Sequence, residues 1–356
     1  MDVTAPAGIS LEELQLAARN HGMPLEALRH DITPIGLHYL LTHYDIPYVD
    51  PAAWRLVVGG LVRKPLELTL DDVRARERVT LAATFECAGN GRANLDPRPV
   101  SQPWLVEAIG TAEWTGTPLR GLLEEAELGG DATEVVFTGL DHGIEGEVEQ
   151  DYARSLPVQE ALRDEIMLAY EINGQPLPPQ HGFPLRLLVP GWYGMTNVKW
   201  LSGIAAMAEP FAGFYMAHSY RVRQTEEEAG EPVTRMAPRS LVLPPGFPDF
   251  FTRERHLPLG PSRLEGRAWS GWGPITAIEV SVDGGETWTV ATVDDAASAH
   301  AWHRWWVDWT PAGPGTYVVC SRATDATGRT QPLDPPWNAG GYSNNSVHRV
   351  TVHVRA

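Results

Sequence analysis

Cysteine is nearly absent from this sequence: Cys87 and Cys320 are the only two in 356 residues. They form no CxxC pair, which excludes zinc ribbons, thioredoxin-type redox motifs and CxxCH haem attachment, and leaves a single Cys87–Cys320 bridge open. Long apolar runs are lacking too. The hydrophobic stretches are short and broken, well under the about 20 residues a membrane-spanning helix needs. Positive charge is scarce, with 28 Lys+Arg against 45 Asp+Glu and a formal net charge of −17. That balance argues against nucleic acid and anionic membranes and suits a basic protein partner. The opening residues, MDVTAPAGIS, hold neither a basic region followed by an apolar core nor a twin-arginine pair. The chain as written is therefore expected to be cytoplasmic, or periplasmic if a precursor segment was removed.

Proline (30), glycine (34) and tryptophan (13) are plentiful. Such a mix favours turns and short strands over long helices. The length exceeds a single core, so two domains are expected. Residues 1–30 read as a polar lead-in with one short helix at SLEELQLAARNHG, where Ser10 precedes Glu12 and Glu13. From 31 to 245, short β-like and helical runs alternate without a regular βαβ period, which predicts an α+β fold. The acidic run 224–233, QTEEEAGEPV, reads as a solvated loop. From about 260 the pattern changes. ITAIEVSVDGGETWTVATV (275–293) is strand, Asp-Gly-Gly turn, strand, and eight of the 13 tryptophans follow residue 260. A small antiparallel sandwich with an aromatic core is expected over 255–356, behind the proline-rich LPPGFPDFFTRERHLPLGPS.

Three clusters carry chemistry. In TFECAGNGRANL (84–95), Cys87 has Gly89, Gly91 and Arg92 as neighbours. A free cysteine is commonly a small buried hydrophobe. Glycines that admit close approach, and a fixed positive charge that favours thiolate, fit a nucleophile or a metal ligand instead. In QHGFPLRLLVPGWYGMTNVKWL (180–201), His181, Arg186 and Lys199 surround Gly191 and Gly194. That segment reads either as a strand with a snorkelling lysine or as an anion cradle. In LHYLLTHYDIP (37–47), His38 and His43 are too sparse for a zinc site.

Taken in order, these segments resemble the sulfite oxidase family of molybdenum enzymes. ECAGNGR resembles the family's cysteine loop and HGFPLRLLVPGWYG…NVKWL its molybdopterin-binding segment. FTGLD (137–141) and YLLTH (39–43) resemble two further cofactor-contacting segments. GRAWSGWGPITAIEVSVDGGETW (266–288) and WNAGGYSNNSVHRVTVHV (337–354) resemble its C-terminal sandwich. The resemblance spans roughly 31–356. It implies a mixed α/β molybdopterin-binding domain over 31–245 and an immunoglobulin-like dimerisation sandwich over 255–356, hence a homodimer. By the same resemblance Cys87 is the one protein thiolate on molybdenum. Tyr39, Thr42, His43, Asp141, His181, Arg186, Asn197, Val198 and Lys199 hold the pterin and its phosphate. Arg92, Tyr220 and Trp114 face a small oxyanion substrate.

The implied reaction is oxygen-atom transfer from sulfite to sulfate. No CxxCH and no cytochrome-like segment ahead of residue 31 imply no haem in this chain, so electrons pass to a separate acceptor such as a c-type cytochrome. Two positions depart from the family. Leu41 and Gly340 stand where the animal and plant enzymes have substrate-site arginines, and Arg221, Arg223 and Arg349 are the candidates to replace that charge. Each lost charge-assisted bond to a dianion weakens binding by about 1.5–3 kcal/mol. This keeps a sulfane dehydrogenase, or a reductase of S-oxides or N-oxides, as alternatives. Outside the family stand a non-catalytic binder that uses the tryptophan-rich sandwich, and a thiol enzyme that uses Cys87 as nucleophile.

Overall fold

The computed structural model describes residues 8–356; most of the stretch read for an export signal lies outside the described residues. One mixed and one antiparallel sheet build the first unit. One runs in the order Leu66–Leu68, Leu56–Gly60, Leu201–Met207, Glu134–Glu145, Val148–Pro157, with only Leu56–Gly60 and Leu201–Met207 parallel. The other sets Val79–Glu86, Ile109–Pro118 and Met167–Ile172 side by side, and Gln175–Pro176 and Arg186–Leu188 both pair with the last of these. Leu156, Phe137, Leu168, Leu187 and Leu201 are fully buried in the main core. The longest helix, Leu11–Arg19, has nine residues. Among the described residues no helix is long and apolar enough to cross a membrane.

The second unit is a sandwich. A four-stranded sheet (Arg239–Val242, Ser262–Trp269, His303–Trp309, Thr292–Val293) faces a six-stranded one that includes Ile275–Ser281, Gly315–Asp325 and Arg349–Arg355. Trp305, Leu264, Ile278, Val319 and Val352 fill the space between. The Asp-Gly-Gly turn forms with Gly284 at φ 81° and Gly285 at φ 108°, and Asp283 Oδ1 accepts the Glu286 and Thr287 amides. Its returning strand splits: Thr289–Val290 stays with Ile275–Ser281, and Thr292–Val293 crosses to the opposite sheet.

Two boundaries differ from the sequence reading. Arg239–Val242 already belongs to the sandwich, paired with Ser262–Trp269, so the proline-rich run is a connection inside the second unit and not the linker ahead of it. Residues 20–30 are also no loose lead-in. Met23, Ala27 and Leu28 are buried in the main core, and the Leu28 carbonyl accepts Arg267 Nε from the sandwich at 2.8 Å. Only the helix before them is surface-bound, with a Ser10–Glu13 capping box and the buried Glu13 paired to Arg98.

One buried ion pair joins the units. Glu86, the last residue of Val79–Glu86, accepts Arg239 Nη1 at 2.6 Å and Asn90 Nδ2 at 3.1 Å on Oε1, and Trp269 Nε1 at 2.9 Å on Oε2. Arg239 and Trp269 face each other across two sandwich strands. Near this pair, beside the second sheet, His38 and His181 lie buried with their rings edge to face at 5.6 Å. Burial pushes His38 down to about 4 and, reinforced by the nearby His38 and Arg186, pushes His181 down to about 2.

Replacing Arg239 with alanine strands the Glu86 charge and is expected to lower stability by about 3–5 kcal/mol. Urea denaturation checks this, and an unchanged midpoint would show that the pair is dispensable. The two histidines make the fold acid-sensitive. The unfolded chain takes up their protons below about pH 6.5 while the folded chain does not, so stability falls by about 1.4 kcal/mol per histidine per pH unit between pH 6 and about 4. Melting temperatures at pH 7, 6 and 5 test this, with a steepening decline expected.

Candidate active site

The cysteine loop starts where Val79–Glu86 ends. Cys87 N donates to Ala108 O at 2.9 Å and Asn90 N to Cys87 O at 3.0 Å, which closes a tight turn. Both glycines are needed there. A Cβ on Gly89 would meet the Arg92 guanidinium at 2.6 Å, and Gly91 has φ 90° with its carbonyl accepting Asn344 Nδ2 at 2.7 Å. The loop is thereby tied to the sandwich, and Cys87 is 7% exposed.

The segment 180–199 wraps the opposite side. Arg186 donates to His181 O at 3.0 Å and Asn197 O at 3.1 Å, and its guanidinium lies over the Trp114 ring at 4.8 Å. Asn197 Oδ1 accepts the Val189 amide at 2.7 Å. Lys199 Nζ reaches Leu41 O at 2.8 Å and Gln180 O at 3.2 Å. Asp141 enters from Glu134–Glu145, whose register against Val148–Pro157 shifts between Thr138 and His142. A bulge of this kind re-aims a side chain.

Two adjoining cavities of about 50 and 250 Å³ share Leu41, His43, Cys87 and Tyr220. Tyr39, Asp141, Arg186, Asn197 and Lys199 line the smaller one, and Thr42 and Arg92 the larger. Most of the residues expected from the sequence thus converge on Cys87, and three do not line either cavity. Val198 is a core side chain whose amide is used on Thr196 O at 3.0 Å. His181 contributes its carbonyl to Arg186. Trp114 lies behind the site, stacked on Phe85 at 4.9 Å and under Arg186. The tryptophan that does line the larger cavity is Trp104, which the sequence reading missed; its only sequence signal is nearness to the cysteine loop.

None of the three substitute arginines reaches either cavity. Arg221 is spent on the Met216, Ala229 and Gly230 carbonyls, Arg223 on Glu226, and Arg349 on Leu333 O. At Gly340 the arginine's space is filled by a ring. A Cβ there would stand 2.3 Å from Tyr342, and Gly340 O accepts Arg92 Nε at 3.1 Å.

Electrostatics sharpen the site's chemistry. Burial pushes the Cys87 thiol up, against the pull of Arg92, the Gly89 amide and Trp104. Among the described residues no histidine hydrogen-bonds it, so a free thiol nucleophile is disfavoured. His43 is pushed down to about 3 by burial and by Lys199 and is neutral, and its Nε2 is hydrogen-bonded with the Tyr220 hydroxyl at 2.6 Å. Burial lifts the Asp141 carboxyl and lowers the Lys199 ammonium, and the charge of each opposes that shift in the other. Among the described residues Arg186, pushed down to about 10 by burial, has no carboxylate partner, and its Nε is unpartnered. Thr42 Oγ1, Asp141 Oδ1 and Thr196 Oγ1 are likewise buried without partners. Buried polar groups are rarely left so. An unneutralised guanidinium, a lysine and a set of free polar atoms beside a cysteine sulfur fit a bound group with an anionic end, several hydrogen-bonding edges and a thiophilic metal.

Comparison with known proteins agrees with this geometry. Residues 43–215 match a family model described as an oxidoreductase molybdopterin binding domain, and 240–355 one described as a Mo-co oxidoreductase dimerisation domain. Sulfite oxidase of Gallus gallus is 35% identical over 340 residues, covering 89% of this chain and 72% of the relative. An NADH nitrate reductase of Oryza sativa is 32% identical over 362 residues, covering 93% of this chain and 39% of the relative. The crystal structure of the sulfane dehydrogenase SoxCD from Paracoccus pantotrophus superposes with a TM-score of 0.80 at 27% identity, covering 99% of this chain and 94% of that one. The chain spans 62% of the length of the mammalian sulfite oxidases it matches. With a molybdopterin-binding domain built around Cys87 and a dimerisation sandwich tied to the same loop, the chain belongs to the sulfite oxidase family of molybdopterin-dependent oxidoreductases.

Proposed function

We propose that the protein oxidises a sulfur oxyanion, of which sulfite is the simplest, by oxygen-atom transfer, and passes the electrons to a separate one-electron acceptor such as a c-type cytochrome. The observation that carries this is the convergence of Cys87, Arg92 and the Tyr220–His43 pair on one cavity. A molybdenum–molybdopterin group bound there supplies a two-electron metal centre for oxygen-atom transfer. Cys87 Sγ is its protein ligand in this reading, and metal binding displaces the proton that burial otherwise keeps on the thiol. Arg186, Lys199, Asp141, Asn197, Thr42 and Tyr39 take the pterin and phosphate.

The chain's own residues shape the substrate side. Arg92 commits two of its five N–H groups to the Gly340 and Gln102 carbonyls, at 3.1 and 3.0 Å, and its guanidinium lies 5.2 Å from the Tyr342 ring centre. The remaining N–H groups are left for an oxyanion, in a fixed orientation. Tyr220 has φ 53°, a strained backbone that holds its hydroxyl on His43. Because His43 stays neutral, the Tyr220–His43 pair brings a hydrogen bond to the cavity without adding charge. The dimerisation sandwich supports a homodimer. A second reading, oxidation of sulfane sulfur, draws support from the SoxCD likeness and from Leu41 and Gly340.

Protein made in a host that supplies molybdopterin is expected to hold about one molybdenum per chain, and Cys87→Ser to lose it. Elemental analysis reads both, and metal-free wild type would sink the proposal. With ferricyanide as acceptor, sulfite-dependent reduction is expected. Arg92→Gln is expected to raise KM about tenfold or more, the loss of a charge-assisted contact. Steady-state kinetics decide, and an unchanged KM removes Arg92 from the substrate side.

A further inference from the structure

The larger cavity has a stretch of wall that offers a bare oxyanion nothing to bind. Its charged lining consists of Arg19, Arg92 and Glu145, with His43 neutral. One net positive charge results. Arg19 is exposed, with Nη2 on His43 O at 3.3 Å, so solvent and salt weaken its contribution. Among the side chains, that single charge matches a monoanion better than a dianion.

The chemistry of the walls points the same way. One stretch of the wall is apolar or aromatic: Leu16, Leu41, Trp104 and Ile144. Such a surface recognises an apolar arm. Leu16 and Arg19 come from the Leu11–Arg19 helix, which lies outside the matched residues 43–215 and is pinned by the Glu13–Arg98 pair.

We infer that the substrate is an organic sulfinate: one negative charge, a lone pair on sulfur and an apolar arm. The inference rests on the proposed oxygen-atom transfer and narrows its substrate. The free N–H groups of Arg92, with Ser101 and Gln102 on the same wall, favour oxygen acceptors over the weakly accepting sulfur of a persulfide. In the balanced reaction the sulfinate sulfur gains one S–O bond to an oxygen that comes from water. Its lone pair leaves as two electrons to two one-electron acceptors, two protons go to solvent, and a sulfonate is the product.

The test uses molybdenum-loaded protein with ferricyanide and compares benzenesulfinate, methanesulfinate and sulfite. The expected order of kcat/KM is benzenesulfinate, methanesulfinate, sulfite, with at least about tenfold between the ends. Leu41→Arg should shift the ratio towards sulfite. Binding without turnover is read separately by tryptophan fluorescence, titrating the same protein with benzenesulfonate and with sulfate. Benzenesulfonate should bind more tightly. Ile144→Ser, at a position 70% exposed, removes apolar wall without adding charge and should weaken benzenesulfonate more than sulfate. Sulfite preferred in turnover, sulfate bound at least as tightly as benzenesulfonate, or turnover of a persulfide with inert sulfinates would each overturn the inference and leave the oxygen-transfer or sulfur-oxidation reading standing. Loaded protein inert to every sulfur anion would overturn both.

Discussion

The carboxylate of Glu86 is the constraint on which the rest of this molecule is arranged. It is almost completely buried, one residue before the cysteine that the site is built around, and its hydrogen bonds come from both units: Asn90 from the cysteine loop, Arg239 and Trp269 from the sandwich. A buried ion pair adds little net stability compared with apolar residues of the same shape, but losing one partner is expensive. What such a pair supplies is geometry. Arg239 also donates to Asn344 O, and Asn344 in turn donates to Gly91 O, so the sandwich grips the cysteine loop at two points. The position of Cys87 therefore depends on the sandwich as well as on its own domain. A sandwich whose family model is described as a dimerisation domain thus has a second duty towards the site.

The site itself is held in an arrangement that the protein alone leaves unsatisfied. Arg186 lies buried and Lys199 partly buried with Asp141 as the one carboxylate among them, and Arg186 and Lys199 repel each other. Backbone carbonyls and the faces of Trp114 and Trp200 screen them in part. The main core around them is well packed, which keeps these side chains from relaxing towards solvent. Binding an anion here relieves strain already present in the fold, which is how a scaffold becomes specific for a large charged cofactor and not merely tolerant of it.

Much of this was legible in the sequence, for physical reasons. Gly89 and Gly91 announced a loop passing close to something, and the structure shows the Arg92 guanidinium and Asn344 in those spaces. The Asp-Gly-Gly turn and the Ser10 capping box are local chemistry and read directly. Contacts across the fold did not read. Trp114 and Trp104 both follow the cysteine loop by a short span, and only the course of the chain decides which one meets the cavity. The proline-rich run after Leu243 resembles a linker in composition, yet Arg239–Val242 ahead of it pairs with a strand some twenty-five residues on, so the break lies earlier. The N-terminal helix gave no sign that Leu16 and Arg19 would form a wall of the larger cavity.

The two departures from the family pattern are coupled in space, and this alters how they should be weighed. Gly340 is not a simple loss of charge. Without a side chain, its carbonyl receives Arg92 Nε, and its empty Cβ position admits the Tyr342 ring, on which the Arg92 guanidinium rests. One arginine is lost and the survivor becomes more rigid and partly neutralised by carbonyl dipoles. Leu41 does the same on the other side, where its carbonyl accepts Lys199 Nζ and its side chain faces both cavities. Charge density at the substrate side falls while shape and apolar surface grow. Recognition by fixed donors and a fitted wall discriminates against a bare, strongly hydrated dianion, because such an ion gives up more hydration than one tethered guanidinium returns. The substitutions make sense together as one change in what the cavity measures, from total charge to the outline of a group carried on an organic arm.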